Sequence, residues 1–143
     1  MKNVWIFFLL MGTALLAGCD TSGSDHRTTK MWYRAVAGDD TATFKVDVTD
    51  KQFKGTLEIL YDGHYKDSGE VKGYVKGDTL VGNYLFTHYG MEQLRRIPVA
   101  LLQQNNKLIL GVGSMEIYLD RTYFKKNRPI DYKNVKFVFE KVN

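Results

Sequence analysis

Few side chains in this 143-residue sequence have the chemistry for covalent or acid–base work. There is a single thiol, Cys19, and three imidazoles, His26, His64 and His88. Cys19 follows Leu16-Ala17-Gly18. A cysteine thiolate is a strong nucleophile. The imidazoles follow no spacing that chemistry demands. His64 and His88, with Asp62, Asp67 and Glu92 as helpers, are the only candidates for a base or metal ligand, and polar loop residues are the plainer reading. His26 reads as a solvated linker residue. No nucleophile elbow, no paired-histidine zinc motif and no phosphate-binding glycine loop is present. The expectation is therefore no catalytic residue, no metal and no cofactor.

The sequence before Cys19 supplies its context. Met1-Lys2-Asn3 is short and basic, and Val4–Leu16 is an apolar run broken only by Gly12 and Thr13. That run is too short to span a bilayer of roughly 30 Å as a helix. A basic start, an apolar middle and small residues before a cut site describe a secretory signal peptide. With Cys19 in place, the pattern resembles a bacterial lipobox. The resemblance implies diacylglycerylation of Cys19, cleavage before it and acylation of the new amino group. The alternative, an ordinary signal peptide with an incidental cysteine, leaves a reactive free thiol in a secreted protein. Two or three acyl chains anchor stably, at about 0.8 kcal/mol per buried CH₂. The domains are then a leader over 1–18, a lipidated flexible tether over 19–30 and a folded domain over 31–143. No second cysteine exists for a disulfide, so the domain must hold by its core.

Taking away Lys2 with the leader leaves 19 basic residues against 16 acidic, a net of +3. That balance gives no reason to expect a nucleic-acid partner. The expected state is a monomer.

The elements that position these residues alternate with period two. Expected strands are Met31–Ala37, Thr41–Thr49, Gln52–Tyr61, Ser68–Val75, Thr79–Thr87, a strand within Met91–Gln103, Lys107–Val112, Met115–Leu119 and Val135–Val142. Residues 120–134 read as irregular and basic. One face carries Phe44, Val46, Val48, Leu57, Ile59, Val71, Leu80, Tyr84, Phe86, Ile97, Val99 and Phe137, with Val135 and Phe139 also inward, and these should be buried. Recurrent glycines on that face (Gly55, Gly73, Gly82) suit strands that bend sharply. Closure removes the exposed edges of such a meander. The predicted fold is all-β: a single small antiparallel meander barrel, lipocalin-like, with a two-sheet β-sandwich as the alternative.

Residues 67–97 resemble a group of small lipoproteins of unknown function from Bacteroidetes-type bacteria. The resemblance rests on Asp67-Ser68-Gly69-Glu70-Val71-Lys72-Gly73, on Gly77-Asp78-Thr79-Leu80, on Tyr84-Leu85-Phe86, and on Gly90 and Arg95. His88-Tyr89 stands where the group has Ser-Glu. The resemblance implies an envelope lipoprotein and carries no activity over. The expected address is the bacterial cell envelope, the outer membrane ahead of the inner, facing the periplasm or the surface. The membrane partner is reached through the lipid on Cys19.

Alternating turns place residues 38–40, 62–67, 88–90 and 113–114 at one end of a meander. Residues 50–51, 76–78 and 104–106 fall at the other, with the tether. The first end should present His64, Tyr65, His88 and Tyr89 for a small ligand or a partner, since binding concentrates in loops on a rigid scaffold. Two other functions remain open: an inhibitor of a periplasmic enzyme such as lysozyme, for which Ser68-Gly69 faintly echoes a loop motif, and an enzyme using His64 or His88.

Overall fold

The computed structural model describes residues 27–142, and every element there is a strand. The Leu16–Cys19 pattern, His26 and most of the tether lie outside the described residues. Seven strands follow one another up and down: β1 (Thr29–Ala37), β2 (Asp40–Val48), β3 (Gln52–Tyr61), β4 (Tyr65–Lys76), β5 (Thr79–Thr87), β6 (Leu94–Gln104) and β7 (Lys107–Leu110). The chain then leaves the sheet to make a separate hairpin, β8 (Met115–Tyr118) and β9 (Arg121–Phe124). It returns as β10 (Val138–Lys141), which pairs with β7 on one side and β1 on the other. This closes an eight-stranded antiparallel barrel in the order β1-β10-β7-β6-β5-β4-β3-β2. The meander barrel is thus the architecture, and the sandwich is not.

Period-two patterning places the core as expected. Phe44, Val46, Leu57, Ile59, Val71, Leu80, Tyr84, Phe86, Val99 and Phe137 are buried, and Val48 and Ile97 pack partly buried against them. Tyr33, Phe53, Leu101, Leu108 and Phe139 complete the interior. Phe139 meets Phe44 edge-on at 6.3 Å and Phe137 at 6.2 Å, and Tyr84 stacks on Phe86 at 4.3 Å. Side chains therefore occupy the interior of this barrel, as an eight-stranded diameter permits. The inward glycines allow close approach: a Cβ on Gly73 would lie 2.5 Å from the Cα of its cross-strand partner Gly82.

Five expectations need correction. Met115–Leu119 is not a barrel strand, because residues 115–118 pair only with Arg121–Phe124 in a hairpin outside the wall. Residues 120–134 are not wholly irregular, since β9 lies among them. The 113–114 turn consequently joins no two barrel strands. The 62–67 loop is a three-residue turn, because Tyr65 already pairs with Tyr61 and Asp67 with Ile59. Strand boundaries also move: β1 begins at Thr29 and β6 at Leu94. The hairpin excursion packs β9 against β6. Pro98 and Ala100, on the outward face of β6, are buried accordingly.

Candidate functional site

The turns at 62–64 and 88–90 lie at the same end of the barrel and touch. At the end of β3, Asp62 and Gly63 both take positive φ, the pair a type I′ turn requires. That turn sets Tyr65 beside Tyr89, with ring centroids 4.8 Å apart. Tyr89 also meets Tyr61 at 5.9 Å and His88 at 4.2 Å. His64 stands beside Tyr65 at 6.4 Å. The four expected rim residues therefore form one cluster, and Tyr61 joins it. Tyr65 and Tyr89 remain 52% and 41% exposed.

Beneath these rings sits Asp67, only 4% exposed and the one buried charged residue among those described. Its carboxylate is satisfied from several sides. His88 Nδ1 lies 2.7 Å from Oδ1, the backbone N–H of Tyr89 donates to the same oxygen at 3.2 Å, and the Tyr61 hydroxyl donates to Oδ2 at 3.3 Å. A buried carboxylate persists only with such partners. It fixes both the His88 ring and the backbone of the 88–90 turn. Phe86, beneath, meets His88 edge-on at 6.4 Å and so joins the rim to the core.

Burial, together with the negative charge of Asp67 and the hydrogen bond to it, pushes the Tyr61 hydroxyl up to about 12. Burial likewise raises Tyr84, whose hydroxyl donates to the Leu57 carbonyl at 3.0 Å. On the far side of Tyr61, Lys136 stands over its ring at 5.2 Å and pairs with Asp40. Hydrogen bonds from Lys136 and from the Asp62 backbone hold the Asp40 carboxyl below its ordinary range.

The Asp67–His88 pair resembles the orienting half of an acid–base unit. The groups in contact with it are tyrosine rings, a phenylalanine and backbone. His64 bonds its Nδ1 to the carbonyl of Asp62 in its own turn. Among the described residues, no group of three or more His, Cys, Asp or Glu is placed to hold a metal ion. Ser68-Gly69 lies inside β4, where Ser68 donates to Glu58 and Gly69 faces the backbone of Phe86. It is not a loop.

Sequence reasoning missed Tyr61, Asp40 and Lys136, and weighed Asp67 only as a helper to the imidazoles. Extending the β4 alternation backward from Val71 through Gly69 puts Asp67 on the inward face. An acid at an inward position was the available signal. Asp40 and Lys136 meet only through barrel closure and carried none. Comparison with known protein families, curated proteins and solved structures gives no match.

Proposed function

We propose that this chain is a lipid-anchored, non-catalytic binding protein of the bacterial cell envelope, engaging its partner through the barrel rim at Tyr61, Tyr65, His88 and Tyr89. The observation that carries this reading is the exposed tyrosine pair standing on the buried Asp67 network. Rigid aromatics with polar edges supply contact area at low entropic cost, and they concentrate where partners bind. Because the interior is filled by the core, a ligand is better received at the rim than inside. The tether supports the address: Cys19 carries the lipid, and the 19–30 segment reaches on the order of 17–20 Å. It joins β1 at the end opposite the rim, which leaves the rim facing outward.

The test is a capture experiment from envelope extracts with wild type and a Tyr65→Ala, Tyr89→Ala double variant, alongside palmitate labelling of wild type and Cys19→Ser. The expected outcome is an unchanged melting temperature with the captured partner lost. Label should appear in wild type and be absent from Cys19→Ser. Equal capture by both proteins sinks the rim; label retained by Cys19→Ser sinks the anchor.

A further inference from the structure

The outer hairpin is hard to explain as packing alone. Ile117 and Leu119 are each 77% exposed, and Tyr118 between them is also largely in water. Consecutive residues on a strand point to opposite faces, so neither face of the tip is covered. Isolated exposed apolar residues are ordinary, but three in a row at a hairpin tip mark a contact surface.

The turn itself deepens the anomaly. Leu119 and Asp120 take φ +47° and +57°, the left-handed region that side chains other than Gly, Asn and Asp enter at a cost. The barrel builds a comparable turn from Asn105 and Asn106, at φ +50° and +64°, residues that tolerate it. A leucine at 119 is unfavourable both for the turn and for solubility. Backbone strain of this kind, observed first, points to a functional demand.

Charge indicates what the tip meets. Between residues 111 and 136 stand six basic and three acidic side chains. Of the acids, Asp131 is occupied in bonding the backbone of Lys133 and Asn134. Glu116 and Asp120 stand on the hairpin itself, against exposed Arg121, Lys125, Lys126 and Arg128. The Lys125 backbone N–H bonds the Ser114 carbonyl at the hairpin's foot, and Lys126 lines the same surface depression as Ile117 and Tyr118. The returning arm of the excursion touches the tether's end of the barrel. Tyr132 bonds the Thr79 side chain beside the Gly77-Asp78 turn, and β1 begins at that same end.

We infer that the β8–β9 tip is a membrane contact, with Ile117, Tyr118 and Leu119 entering the headgroup region of an anionic bilayer and the neighbouring Lys and Arg side chains meeting its phosphates. An apolar tip beside basic residues is the surface chemistry of interfacial binding. The inference uses the proposed tether for proximity, and it does not depend on the rim.

The test supplies the tether chemically, so the two readings fail separately. The core is drawn from residues between Met31 and Phe139, so the chain from Cys19 to Asn143 keeps its fold without the leader. Its single thiol is coupled to a maleimide lipid in vesicles containing phosphatidylglycerol, and amide hydrogen exchange is followed. Residues 115–121 are expected to exchange roughly tenfold more slowly than in the free protein, with the Asn105-Asn106 turn unaffected. Ile117→Ser with Leu119→Ser should remove that protection and leave the melting temperature unchanged. Exchange at 115–121 unaltered by the vesicles overturns the inference. Equal protection on pure phosphatidylcholine overturns the anionic preference. Protection that appears in free protein as its concentration rises, without vesicles, assigns the tip to a second copy instead.

Discussion

The rim at Tyr61, Tyr65 and Tyr89 and the tip of β8–β9 both carry large side chains into solvent, yet they are held in different ways. Tyr61 and Tyr65 stand on β3 and β4, strands paired on both sides within the closed wall, and Tyr89 stands on the turn that follows β5. Below them Asp67 collects donors from Tyr61, His88 and the Tyr89 backbone. The hairpin pairs only with itself, and its four β8 residues are all exposed. Exposed side chains thus stand in two physical situations. One surface is pre-organised by a buried network; the other is anchored through the packing of β9 on β6. Local opening should be costly at the first and cheap at the second.

The largest expected effect separates the two regions by stability. Phe86→Ala removes the ring that stacks on Tyr84 and meets His88, and should cost about 3–5 kcal/mol in denaturant unfolding. Ile117→Ala at the tip should stay within about 0.5 kcal/mol. Comparable losses at the two positions would break the distinction.

A smaller effect sharpens it from within the rim. Asp67→Ala leaves the Tyr61 hydroxyl, the His88 ring and the Tyr89 N–H without their acceptor. It should cost about 2–3 kcal/mol and weaken the near-ultraviolet circular dichroism of the rim tyrosines, while Asp67→Asn, which still accepts, should lose less. An Asp67→Ala protein as stable as wild type, with its tyrosine signals intact, would show that the rim is not organised from below.

The smallest effect is a titration. Tyr61 is raised to about 12, against about 10 for an unperturbed phenol. The folded state then holds this proton more tightly than the unfolded state does. The stability it contributes is complete below pH ~10 and is lost as pH climbs from there toward about 12. Tyrosinate absorbance should show a late-titrating phenol that is missing from Tyr61→Phe, and that variant should lose this part of the alkaline destabilisation. A Tyr61 that ionises with the bulk of the tyrosines would mean the rim is wetter than its geometry indicates.

Alternation along single strands determined much of this molecule. Phe44, Val46 and Val48 in β2, or Leu80, Tyr84 and Phe86 in β5, declare their inner face because side chains switch sides at every residue. Asp62-Gly63 and Gly77-Asp78 declare turns because few residues enter positive φ cheaply. From these, a closed meander and the neighbourhood of the 62–64 and 88–90 turns follow. Alternation could not say which face a strand finds covered. Met115, Ile117 and Leu119 alternate as a wall strand would, and Val135, Phe137 and Phe139 alternate no better. Only the tertiary structure sent the first set outside and drew Phe137 and Phe139 inward, because β1 and β7 each had one unpaired edge and a single strand, β10, satisfies both. The same closure decided Asp67. Its inward position was written in β4, but its role depends on Tyr61, His88 and the Tyr89 N–H arriving from other strands and turns. Partners that far apart in sequence leave no periodic trace in any one segment.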